Sequence, residues 1–266
     1  MNAKRILPTA ALGAALLLLV AEPVAAQSSS ADAIWGLNER LLVVAIPITV
    51  LVEAVLIYTV LKFKDSDEAQ PTRENRRLEI TWTVATAVIL LFVGLATTMT
   101  MADQSVVVDD VQNRAEVPED AEHVNVSAFR YGWTFTYDEH NVSSGTKLAI
   151  PANQETYFNV TTQDWIHSFH VPELGLKQDA VPGRHNYIMT EGTEPGVYQG
   201  YCAEFCGTGH SGMMFEVEIM PQDEYEAWLA DQCESADGTW NEDELTCTGN
   251  GGDAGNSTDG NASVAA

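Results

Sequence analysis

Four soft or imidazole donors fall within twelve residues of this sequence, Cys202, Cys206, His210 and Met213, and His167 stands 35 residues before the first. Thiolate, thioether and imidazole together select copper, zinc or iron–sulfur chemistry over magnesium or calcium, which prefer oxygen. Three residues between the two Cys fit poorly with a zinc ribbon or a thioredoxin-like redox pair, both of which use two. The Met three residues after His210 turns the choice to copper, because a weak thioether ligand is typical of electron-transfer copper sites. A Cys202–Cys206 disulfide would leave the His and Met unexplained. No Cys-x-x-Cys-His occurs, which excludes a c-type haem attached to this chain on motif grounds.

Those donors need a rigid frame. From His123 to Ile219 the sequence is a series of short Val-, Thr-, Tyr- and Phe-rich runs broken by Gly, Pro and Asn. The runs read as strands over 123–129, 133–137, 156–162, 166–171, 185–190, 196–201 and 213–219, enough for a β-sandwich or barrel. Tyr225, Trp228 and Leu229 then recur at helical spacing, predicting a short helix against the sandwich.

The frame is anchored. Lys4 and Arg5, the apolar run Ile6 to Val20 and Val24-Ala25-Ala26 form the layout of a secretory signal over 1–26, cleaved after Ala26. Fifteen apolar residues are too few to span hydrocarbon, which takes about 20. After an external segment, 27–40, two longer apolar stretches, 41–63 and 80–101, each suit one crossing. Pro47 removes a hydrogen bond from the first and can kink it. Lys62, Lys64, Arg73, Arg76 and Arg77 crowd the connection, which places it in the cytoplasm and both ends of the hairpin outside. The chain is therefore a multi-pass protein of the cell membrane with its 102–233 domain outside.

Charge narrows the setting. The chain has 13 basic against 38 acidic residues, which excludes nucleic acid as a partner. The region after Met101 carries five basic and 29 acidic residues, a density tolerable in molar salt, where the Debye length shrinks to about 3 Å; a halophilic source is expected. Sequons at Asn125, Asn141, Asn159, Asn256 and Asn261 permit glycosylation there. Cys233, the last residue of the 102–233 domain, and Cys247, in an acidic tail spanning 234–266 and expected to be mostly disordered, read as a disulfide closing a small loop.

The motif Cys202-x-Glu204-x-Cys206-x3-His210-x2-Met213, the segment Ile166-His167-Ser168-Phe169-His170-Val171-Pro172 running on to Arg184, and the hairpin together resemble subunit II of haem-copper cytochrome c oxidases over most of the chain. The resemblance implies a two-helix hairpin carrying an all-β, cupredoxin-like Greek-key sandwich. It implies a CuA centre of two copper ions bridged by Cys202 and Cys206, with His167 and Met213 completing one and His210 and the Glu204 carbonyl the other. The Glu204 side chain would reach a magnesium ion at the interface with a haem-bearing subunit I. That subunit would reduce oxygen to water and pump protons, while this chain accepts the electrons.

Other residues are read in the same light. Tyr131 stands where the family has the Trp thought to admit electrons, and Trp133 follows it; both are equally readable as core. One acidic docking position of the family is Thr136 here and another is kept as Asp164. The donor implied is cytochrome c or a small blue-copper protein docking through an apolar patch. Glu79 matches a glutamate at the mouth of a proton channel, with a favourable charge at a helix N-terminus as its plain alternative. Glu53 lies mid-membrane and should face protein. His170 falls on the opposite face of an extended segment from His167, His123, His140 and His185 lack ligand spacing, and Met214 reads as core. Two other readings keep part of the pattern: a copper-free quinol-oxidase subunit acting structurally, and a membrane-anchored copper carrier.

Overall fold

The computed structural model describes residues 27–66, 71, 73–108 and 111–249. The expected signal peptide and the last part of the tail, including Asn256 and Asn261, lie outside these residues.

Two helices come first, α1 (Ser29–Phe63) and α2 (Arg76–Met101), both long and apolar enough to cross a membrane. Asn75 caps α2 by accepting the Leu78 amide at 3.2 Å, and α1 continues through Pro47. α1 begins twelve residues before the expected Leu41 because Ser28 caps it and the sandwich holds its first turn. Ser28 Oγ accepts from the Ala31 amide and donates to the Leu174 carbonyl at 2.8 Å, and Ser30 Oγ donates to Thr190 Oγ1 at 2.9 Å. The fit depends on Gly175, at φ +65°: a Cβ there would stand 2.9 Å from the Ala31 nitrogen.

The outer domain packs two five-stranded sheets. The first has the order β3 (Val142–Ser144), β2 (Gly132–Tyr137), β1 (Glu122–Phe129), β5 (Glu155–Thr162), β8 (Asn186–Glu191). The second runs β4 (Lys147–Pro151), β10 (Met214–Met220), β9 (Gly196–Cys202), β6 (His167–Val171), β7 (Leu176–Ala180). Pairing is antiparallel except for β1 with β5 and β10 with β4. Each of the seven expected strands is present to within a residue or so. β3, β4 and β7 were not anticipated: the first is three residues long, and Lys147 and the run Lys177-Gln178-Asp179 hide the apolar alternation of the other two.

Alternation places Val124, Val126 and Ala128 of β1 inside, where they meet an aromatic core built on Trp133, Phe135, Phe158, Phe169 and Phe215. Phe169 and Phe215 stack with centroids 5.0 Å apart, and Trp133 meets Phe215 edge-on at 5.2 Å. Truncating one such ring typically costs about 3–5 kcal/mol. Gly200 lies opposite Phe215 on the neighbouring strand and leaves the space its ring fills.

Pro221 precedes α3 (Gln222–Ser235), which buries Tyr225, Trp228 and Leu229 as its spacing predicts. The segment after it departs from the expected disorder: β11 (Thr239–Asn241) and β12 (Thr246–Thr248) form a hairpin. The Cys233–Cys247 disulfide holds it to α3, and the Cys247 amide donates to the His140 carbonyl at 2.8 Å. Acidic composition misleads here because one covalent bond and a few main-chain hydrogen bonds replace an apolar core.

Candidate metal centre

β9 ends at Cys202 and β10 begins at Met214, so the connection between adjacent strands carries the whole donor motif. Two main-chain bonds close its base: the Cys202 amide donates to the Met213 carbonyl at 3.0 Å and the Ala203 amide to the Ser168 carbonyl at 2.9 Å. β6 pairs with β9 with Phe169 opposite Cys202, which brings His167, at the start of β6, over the loop.

Cys202 Sγ stands 3.8 Å from His167 Nδ1 and 3.2 Å from the Glu204 carbonyl. Cys206 Sγ stands 3.7 Å from His210 Nδ1 and 3.3 Å from Met213 Sδ. Donor atoms of His167, Cys202 and Cys206 lie within 4.8 Å of one another, and all three residues are buried. Both Cys are free thiols. Burial, reinforced by the adjacent Cys202, pushes the Cys206 thiol up to about 11. A thiol so raised resists ionising unless a cation is supplied, which is what a bound soft metal does. The donor set therefore fits copper: two thiols, two imidazoles each presenting Nδ1, one thioether and one carbonyl.

The neighbouring residues divide. Trp133 is buried, meets the His167 ring edge-on at 6.3 Å and directs Nε1 at the Met213 carbonyl, 3.5 Å away. Tyr131 is 42% exposed, packs on Gly207 and Gly209 and has its hydroxyl 3.3 Å from Thr208 Oγ1. Glu204 turns its side chain outward. Met214, read from the sequence as core, is instead 51% exposed, because the strand alternation that buries Phe215 turns it outward.

His170 donates from Nδ1 to the carbonyl of Leu176 on β7 at 2.8 Å, away from the cluster. A carbonyl only accepts, so this nitrogen is the donor. His123 is no ordinary polar residue: it is buried, both ring nitrogens lack a hydrogen-bond partner among the described residues, and burial together with Arg114 lowers its pKa to about 4. Glu79 and Glu53 are both on exposed faces of the helices, Glu79 in the first turn of α2.

Sequence reasoning missed the apolar rim formed by Trp165, Ile166 and Phe205, the last 73% exposed. The available signal was large apolar residues adjoining ligand positions where alternation cannot bury them. It also read Asp164 only as a docking charge, although its Oδ1 lies 3.0 Å from His167 Nε2. Burial works against ionisation there, but hydrogen bonds from His167, from the Arg130 and Trp165 amides and from the Arg130 side chain hold the carboxyl well below the usual range. A cavity of about 580 Å³, lined by Ser29, Arg40, Asp103 and Glu191 among others, contains none of the donors.

Comparison with known proteins adds the following. Residues 100–220 match the family model described as cytochrome C oxidase subunit II, periplasmic domain, and residues 22–98 the corresponding transmembrane domain. Cytochrome c oxidase subunit 2 of Alkalihalophilus pseudofirmus is 32% identical over 189 residues, 68% of this chain and 53% of that protein. That of Synechocystis is 30% identical over 78% of this chain and 74% of its own length, and that of Cereibacter sphaeroides 28% over 79% and 77%. The chain thus spans about half the length of the first relative and about three quarters of the other two. The periplasmic domain of subunit II of cytochrome oxidase of Bradyrhizobium japonicum aligns with a TM-score of 0.43 at 24% identity, covering 45% of this chain and 98% of that one.

Proposed function

Since this chain belongs to the cytochrome c oxidase subunit II family, we propose that its outer domain holds two copper ions as a CuA centre and receives the electrons a haem-copper terminal oxidase delivers to oxygen. The chain is a membrane subunit with two spanning helices and a periplasmic domain. The observation that carries the reading is the convergence of Cys202, Cys206, His167, His210 and Met213 on one buried point.

Cys202, Cys206, His167, His210, Met213 and the Glu204 carbonyl would hold the two coppers, which would supply one-electron transfer there. The chain's own residues keep that geometry: the main-chain bonds of Cys202 and Ala203 lock the loop base, and Trp133 and Phe215 fill the space beneath it. The outward Glu204 carboxylate suits a magnesium ion shared with the haem-bearing subunit I.

Tyr131, with its ring on the ligand loop, admits the electron from an external donor, either cytochrome c or a small blue-copper protein. The rim of Trp165, Ile166 and Phe205 supports apolar docking, which also suits a salt-adapted protein whose charges are screened. Glu79 offers a carboxylate at the cytoplasmic end of α2 for proton uptake into the partner subunit. Copper analysis with electron paramagnetic resonance on the assembled oxidase tests the reading. Two coppers sharing one unpaired electron are expected, and Cys202→Ser should abolish that signal; a wild-type chain without copper would instead be a structural subunit of the quinol-oxidase kind.

A further inference from the structure

Asp164 sits in the turn between β5 and β6, where the Arg130 amide and side chain, the Trp165 amide and His167 converge on one carboxylate. Oδ2 accepts the Arg130 amide at 2.9 Å and Arg130 Nε at 3.1 Å. Oδ1 accepts the Trp165 amide at 2.6 Å and faces His167 Nε2 at 3.0 Å. A carboxylate so supplied is an acceptor, so the His167 proton resides on Nε2. The Nδ1 lone pair is left directed at the side of the ring where Cys202 Sγ stands, 3.8 Å away. The imidazole is thereby held in the tautomer a metal requires before any metal arrives.

The second imidazole differs. His210 presents Nδ1 to Cys206 in the same manner, but among the described residues no carboxylate pairs with its ring. A carboxylate behind an imidazole makes it the stronger electron donor and stabilises the more positive state of the metal it binds. The same carboxylate fastens the amide of Arg130, the residue before Tyr131, so the electron-admitting ring and one ligand are positioned by one group.

Resting on the copper reading above, we infer that Asp164 is a positioning residue for electron transfer: its carboxylate fixes the His167 tautomer, lowers the reduction potential of the centre and ties the turn that carries Tyr131 to that ligand. Its role is therefore internal to the centre rather than that of a free docking charge.

The test is spectroelectrochemical titration of the copper centre in the assembled oxidase for wild type, Asp164→Asn and Asp164→Glu, with copper content and paramagnetic resonance on each. Asp164→Asn should keep both coppers and favour the reduced state about tenfold, equivalent to a rise of about 59 mV for one electron. Asp164→Glu, which keeps the negative acceptor, should return the potential towards wild type. An Asn variant that retains copper at the wild-type potential overturns the inference. If Asp164→Asn loses copper, the Glu variant decides: copper at wild-type potential supports the role, whereas copper loss there too, or a raised potential, overturns it. A wild-type oxidase lacking the two-copper signal would instead remove the copper reading itself, which separates the two failures.

Discussion

The ring of Tyr131 occupies the space that a side chain at Gly209 would need: a Cβ there would stand 2.5 Å from the tyrosine Cδ2 and Cγ. Gly207, at φ +133°, meets the same ring. The two glycines flanking Thr208 thus create a seat for an exposed aromatic directly on the loop that links Cys206 to His210.

Gly209→Ala should lift the ring from that seat and slow electron uptake from an external donor by on the order of 10–100-fold, the usual scale for displacing a positioned group by about 1 Å. Tyr131→Ala should do the same. Stopped-flow reduction with copper content measured in parallel checks both. An unchanged rate at full copper occupancy would remove Tyr131 from the route.

Adjacent methionines separate ligand from bystander. Met213 is 1% exposed and beside Cys206, while Met214 faces solvent. Met213→Leu conserves volume and should cost less than about 1.5 kcal/mol of stability while altering the copper spectrum. Met214→Ala should change stability by less than about 0.5 kcal/mol and leave the spectrum alone. Thermal melts and visible spectra of both variants provide the comparison.

Two histidines make stability depend on pH in opposite directions. His123 takes up its proton in the folded state only near pH 4, against about 6.5 in an unfolded chain. Stability therefore falls as pH drops from about 6.5 to 4, by about 1 kcal/mol per unit. His123→Phe should flatten this arm of the profile.

For His140, burial opposes the charge, but Glu122 and the Leu245 carbonyl, which accept from its two ring nitrogens, and the nearby Glu226 raise its pKa above the ordinary value. That contribution is complete below about pH 6.5 and is lost as pH rises through the elevated folded value. Amide exchange in Leu245–Cys247 should quicken with alkalinity in wild type more than in His140→Gln.

Breaking the Cys233–Cys247 bond, which joins positions 14 apart, should cost about 3 kcal/mol in constraint on the C-terminal hairpin. Limited proteolysis of Cys247→Ser should cut between Ala236 and Thr248 while the copper signal persists.

Legibility followed the physics of each segment. The donors were readable because soft ligands at unusual spacing have few other uses, and the long strands because Val, Tyr and Phe alternate. β7 was not, since Leu176 and Ala180 enclose three polar residues whose strand is specified by pairing with β6. The C-terminal hairpin escaped notice for want of apolar content. Asp164 could be located but not interpreted, because its partners Arg130 and His167 converge only through folding.

Ser28 and Ser30 bond to groups 146 and 160 positions further along the chain. Contacts so distant in sequence carry the entropic cost of closing a long loop. The lead turn of α1 therefore acts as a keystone: the sandwich must be translated, exported and nearly folded before the start of the membrane anchor can seat against Gly175.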